Sequence, residues 1–125
     1  MLGRWRRVWT LMPALVLPGC SLVDGLVSCS TEVQRQVVSP GRMFVATIFH
    51  RECGATSGFN TQVSIRRSSD AFDPKKGQVL AIGGRHALSV SWSTDQHLRI
   101  ELPPDRIYNQ QERWETVKVE YTPQP

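Results

Sequence analysis

From Glu32 to Tyr121 the apolar residues recur at every second position between clusters of Gly, Pro, Asp and Ser, and no window of a dozen residues carries a 3.6-residue period. Alternation of this kind puts successive side chains on opposite faces of an extended backbone, so it confines the chain to β-structure. Arg42 to His50 is apolar on both faces, with Phe44, Ala46 and Ile48 on one and Met43, Val45 and Phe49 on the other, which predicts a central strand. A modest strand, Glu32 to Val38, precedes it across the Ser39-Pro40-Gly41 turn. Phe59 to Arg66 alternates Phe59, Thr61, Val63 and Ile65 against Asn60, Gln62, Ser64 and Arg66, the pattern of a strand with one wet face.

Arg67 to Gly77 collects Ser, Asp, Pro, Lys and Gly and reads as an exposed, mobile connection between two halves of the sequence. Beyond it lie a short strand from Gln78 to Ile82, a Gly83-Gly84 turn, and a strand from His86 to Ser93 with Leu88, Val90 and Trp92 toward the core. The turn Ser93 to Gln96 leads into His97 to Leu102, whose Leu98, Ile100 and Leu102 continue the same period. Pro103-Pro104 ends that strand, since proline has no N–H to donate. Asp105 to Arg113 is polar, and Trp114 to Tyr121 forms the last strand, with Val117, Val119 and Tyr121 on one face. The expectation is an all-β domain, a small antiparallel sandwich or open barrel of about seven short strands.

The first 20 residues, MLGRWRRVWTLMPALVLPGC, are of another kind: a cationic start, an apolar run from Val8 to Leu17, then small residues. This is the layout of a secretory signal. Arg4, Arg6 and Arg7 supply three of the 15 basic residues, so a segment ending at Gly19 leaves 12 against 11 acidic residues, a net charge of +1. The basic pI thus reflects targeting, and the remaining cations are interleaved with acids (Arg51-Glu52, Arg99-Glu101, Arg113-Glu115), which argues against nucleic acid as a partner. With 125 residues and 14.1 kDa, the chain divides into a signal peptide or signal anchor (1–19), a tether (20–31), one antiparallel β-domain (32–121) and a tail (122–125).

Leu17-Pro18-Gly19-Cys20 resembles the bacterial lipobox, in which a thiol after Leu, a small residue and Gly is acylated before cleavage. The resemblance implies that Cys20 becomes a lipidated first residue, and Ser21 in place of Asp favours sorting to the outer membrane, with the domain facing the periplasm. Leu22, Val23, Leu26 and Val27 extend the apolar run toward the ~20 residues of a spanning helix, so an uncleaved anchor stays open despite Asp24. With Cys20 assigned to lipid, Cys29 and Cys53 form an even pair able to make a disulfide, which an oxidising compartment would preserve.

Arg51 to Ile65, RECGATSGFNTQVSI, resembles a family of small uncharacterised bacterial envelope proteins that share a Cys-Gly-Ala-Thr-Thr-Gly-Phe-x-Thr-Gln-Val-Ser signature. The matching residues are Cys53 to Thr56, Gly58, Phe59 and Thr61 to Ser64, with Ser57 in place of the usual Thr. Ser39-Pro40-Gly41-Arg42 and Val90-Ser91-Trp92 are similar to two further features of that family, which implies no activity. Physically, Thr56, Ser57, Asn60, Thr61 and Gln62 place hydroxyl and amide groups on a candidate binding loop; the alternative is that these groups cap backbone and solvate a strand.

Constellations that carry chemistry are weak. His50, His86 and His97 lack metal-ligand spacing, although His86 and His97 could meet across a hairpin near Asp95 or Glu101. There is no G-x-S-x-G elbow and no phosphate-binding Gly-rich loop. Trp92, Trp114, Tyr108 and Tyr121 could form an aromatic platform, with core packing as the alternative. The expectation is a non-enzymatic, membrane-tethered binding module without metal or cofactor, its partner an envelope protein, an envelope polymer or a small ligand. A periplasmic inhibitor or immunity-type protein and a small metal-dependent hydrolase are the rivals.

Overall fold

A computed structural model describes residues 29–54 and 58–125; the signal or anchor segment, Cys20, and Thr56 and Ser57 of the candidate loop lie outside the described residues. Nine strands are described: β1 (Ser30–Val38), β2 (Phe44–Glu52), β3 (Phe59–Arg67), β4 (Gln78–Gly83), β5 (Val90–Thr94), β6 (His97–Leu102), β7 (Ile107–Gln110), β8 (Arg113–Trp114) and β9 (Val117–Pro123). They form a five-stranded sheet, β1-β2-β3-β4-β7, and a four-stranded sheet, β5-β6-β9-β8. The architecture is a small all-β sandwich.

The alternation seen in the sequence builds its core. Phe44, Ala46 and Ile48 of β2, Val63 and Ile65 of β3, and Leu80 and Ile82 of β4 face Leu88, Val90, Leu98, Ile100, Val117 and Val119 from the other layer, all buried. β2 is central, paired with β1 on one side and β3 on the other, as its two apolar faces require. Its outward Val45 and Phe49 are as buried as its inward residues, at 4% and 0% exposed. Phe49 is covered by the segment after β3.

That segment, expected to be an exposed mobile connection, lies against the outer face of the five-stranded sheet. Phe72 meets Phe49 edge-on at 5.3 Å, Arg51 Nη1 donates to Pro74 O at 3.1 Å, and Arg66 Nη1 donates to Asp70 O at 2.7 Å. The expected wet face of β3 is accordingly half covered, and Ser64 is buried. The segment is seated by one Phe among polar residues together with two arginine-to-carbonyl bonds.

Three further differences follow from pairing, which periodicity does not encode. β6 and β9 run parallel, from His97 opposite Lys118 to Leu102 opposite Pro123, inside a fold expected to be antiparallel. β9 therefore extends to Pro123, beyond the expected end of the domain at Tyr121, and Gln124 N donates to Leu102 O at 2.9 Å. The polar stretch after Pro104 contains β7, an edge strand on β4, and β8. Conversely, residues 85–89 are not strand, although Leu88 is buried as expected.

Candidate functional site

One end of the sandwich is open between β1 and the chain linking β4 to β5. Two local devices shape this mouth. The first is a bulge in β1: Val33 lies opposite Phe49 and Arg35 opposite Ile48, so Gln34 is the extra residue. Without it Arg35 would fall opposite Thr47 on the outer face; with it Arg35 shares the inner face with Ile48. Arg35 Nη2 donates to Val90 O at 3.2 Å, spanning from β1 to β5.

The second device is the bend after β4. Gly84 adopts φ +81°, its N–H donates to Phe59 O at 3.0 Å, and Thr61 Oγ1 donates to Gly84 O at 2.7 Å. Thr61 Oγ1 in turn accepts from His86 N at 3.0 Å. One fully buried hydroxyl thus fixes both sides of the bend and delivers Arg85 and His86 to the mouth. Arg85 lies over the Phe59 ring, its guanidinium carbon 3.6 Å from the centroid.

Together Gln34, Arg35, Ile48, His50, Arg85, His86, Ala87 and Leu88 line a cavity of about 290 Å³. Ile48 and Leu88 are buried and form an apolar floor, while the rim holds two guanidinium groups and two imidazoles. No carboxylate is among the lining residues, and among the described residues neither Arg35 nor Arg85 is ion-paired. Glu32, opposite His50 in the β1–β2 register, does not line the cavity.

The histidines are oriented by their partners. His50 Nε2 donates to His86 O at 3.3 Å, and His86 Nε2 lies 2.8 Å from Gly83 O and 2.9 Å from Asp105 Oδ2. A carbonyl only accepts, so in both rings the hydrogen is on Nε2. Asp105 receives the Arg106 N–H at 2.7 Å, and that bond, followed by the one from His86, holds its carboxyl below the usual value of 3.8.

A second cleft, of about 570 Å³, lies beneath the segment that covers β3, lined in part by Arg66, Asp70, Phe72, Asp73, Lys76 and Trp114. It is larger, but its cations and carboxylates alternate and define no charge preference. Trp114 flanks Phe44 edge-on at 5.7 Å and Trp92 stacks near Phe44 at 6.3 Å, so two members of the imagined aromatic platform form a core cluster. Tyr108 is exposed, and the Tyr121 hydroxyl is within hydrogen-bonding distance of Val79 O and Gln111 O.

The residues singled out in the sequence are dispersed. Thr61 is buried and positions backbone, while Asn60 and Gln62 share the opposite face and bond each other at 2.9 Å. Cys29 and Cys53 form a disulfide across the start of β1 and the end of β2, Cα atoms 4.1 Å apart. His86 and His97 do not meet: His97 Nε2 bonds Glu120 at 2.9 Å, and that bond is the main cause holding the Glu120 carboxyl low. Asp95 is engaged elsewhere, accepting Gly41 N–H at 2.7 Å. Among the described residues no group of three or more His, Cys, Asp or Glu could hold a metal ion.

Arg35 and Arg85 were not anticipated. The bulge that re-aims Arg35 leaves no mark on a period-two pattern, whereas Gly83-Gly84 followed by Arg85-His86 was a usable signal for a bend that presents two basic groups. Comparison with protein-family models, with curated proteins and with solved structures returns no match for this chain.

Proposed function

We propose that the protein is a membrane-tethered lipoprotein of a bacterial cell envelope that acts by binding rather than by catalysis. The observation that carries the export half of this reading is the Cys29–Cys53 disulfide, a bond suited to an oxidising compartment. It engages two of the three cysteines, so Cys20 of the lipobox-like segment is the thiol left for acylation. The binding half is supported by the cavity at the sandwich mouth, where polar groups converge over an apolar floor.

The test is the intact mass of the full chain extracted from membranes without reductant and then reduced. The reading requires a chain starting at Cys20 with acyl mass added and a gain of two hydrogens on reduction. A full-length mass without lipid would replace the lipoprotein by a signal-anchored protein, and no gain on reduction would remove the argument for an oxidising compartment.

A further inference from the structure

We infer that the cavity at the sandwich mouth binds a small organic anion, an anionic head carried on an apolar stem of a few carbons. The inference deepens the binding half of the proposal above and does not depend on the tether. Arg35 and Arg85 reach the opening from different segments of the chain, Arg35 by the bulge in β1 and Arg85 by the bend after β4 that Thr61 holds. A guanidinium offers five N–H donors in a plane. Arg35 gives one to Val90 O, and the Arg85 guanidinium carbon lies 3.6 Å from the centroid of the Phe59 ring, a contact that holds the group without consuming an N–H donor. Two such groups over one cavity that has no carboxylate in its lining match an anion with at least two oxygens, a carboxylate or a phosphate ester.

The floor sets the other half of the ligand. Ile48 and Leu88 close the floor with almost no surface left to water, and Ala87 is the exposed apolar residue of the lining, so a short stem finds its apolar contact beside Ala87, which an inorganic anion would leave exposed. A volume of about 290 Å³ corresponds to roughly ten water-sized groups, at about 30 Å³ for each water of the liquid. A head group and a chain of about six carbons fill it.

The experiment uses the full chain in phosphatidylcholine vesicles and fluorine NMR of 6,6,6-trifluorohexanoate, with empty vesicles subtracted. Trifluorohexyl phosphate, trifluorohexanol and trifluoroacetate serve as comparison probes. The expected result is saturable binding of the carboxylate or the phosphate ester, with the alcohol and trifluoroacetate at least ten-fold weaker. Arg85→Gln should weaken the anionic probe about ten-fold and leave the alcohol unchanged. Ala87 is an exposed residue of the lining, so Ala87→Leu tests the cavity without altering charge and should abolish binding of every probe even if the Arg85 variant does not fold. Equal affinity for acid and alcohol, or no saturable binding by the wild-type protein, would overturn the anion site. A lipid-free N terminus in the mass experiment would leave this result untouched, so the two failures are distinguishable.

Discussion

Thr61 illustrates how one side chain can be read two ways from sequence. It sits in the strand signature as one polar residue among several, and its spacing with Phe59, Val63 and Ile65 places it inward, where a hydroxyl needs partners. The structure gives it two backbone groups, Gly84 O and His86 N, on the far side of the β4 turn. Thr61→Val keeps the shape and removes both bonds, which should cost about 1–3 kcal/mol in urea denaturation. Thr61→Ser should recover most of it, and identical midpoints for all three proteins would show that the bend is held by something else. Gly84 meets the same bend from the other side. An added Cβ would lie 2.9 Å from Asp105 Oδ2 and 3.1 Å from His86 Nε2 at a φ that L-residues rarely adopt. Gly84→Ala is expected to cost at least about 1–2 kcal/mol from the backbone alone, and a thermal melt superimposable on the wild type would contradict that.

At the level of elements, the strands with strong alternation were legible and those defined by their neighbours were not. β6 occupies the residues expected, His97–Leu102, because Leu98 and Ile100 point inward between clear turn signals. β7 is exposed at three of its four residues and has no apolar period; it is a strand because β4 has an edge to pair. The parallel run of β9 beside β6 belongs to the same class, and it turns the supposed tail into structure. Removing residues 122–125 should therefore destabilise the domain by about 1–2 kcal/mol, the value of one or two backbone hydrogen bonds, and amide exchange of β6 should rise with it. Unchanged protection in β6 would mean that the C-terminal rungs contribute nothing. β1 is the opposite edge, exposed along nearly its whole length, and its bulge and charged Glu32 and Arg35 blunt it against pairing with another chain. The Cys29–Cys53 bond staples this weakly buried strand to β2 and closes a loop with a sequence separation of 24. On the chain-entropy estimate reduction should cost ~3 kcal/mol; oxidised and reduced protein of equal stability would refute it.

The two layers of the molecule are joined by apolar packing and by a few side chains that cross between them. Trp92 of β5 donates to Val37 O of β1 at 2.9 Å, Arg35 of β1 donates to Val90 O, and Tyr121 of β9 reaches Val79 O of β4. The Tyr121 hydroxyl is the one of these that titrates. It lies 2.9 Å from Val79 O and 2.6 Å from Gln111 O, and its single proton can satisfy only one of them at a time. A phenolate in that position would confront two carbonyl oxygens in a partly buried site. Burial is the main cause raising its pKa above the ordinary 10.0, and the nearby Glu112 charge adds to it. The native state therefore keeps a proton that the unfolded chain gives up, and the stability this contributes is fully present below about pH 10 and is lost as pH rises through the folded value. Above pH 10 the free energy of unfolding should fall by up to about 1.4 kcal/mol per pH unit on account of this one group. Tyr121→Phe removes both the hydrogen bond and the titration, so the variant should be less stable at neutral pH yet lose less on going from pH 10 to pH 11. Urea midpoints at pH 8, 10 and 11 for both proteins measure the difference, and parallel losses in the two would show that the clamp between the layers does not depend on this proton.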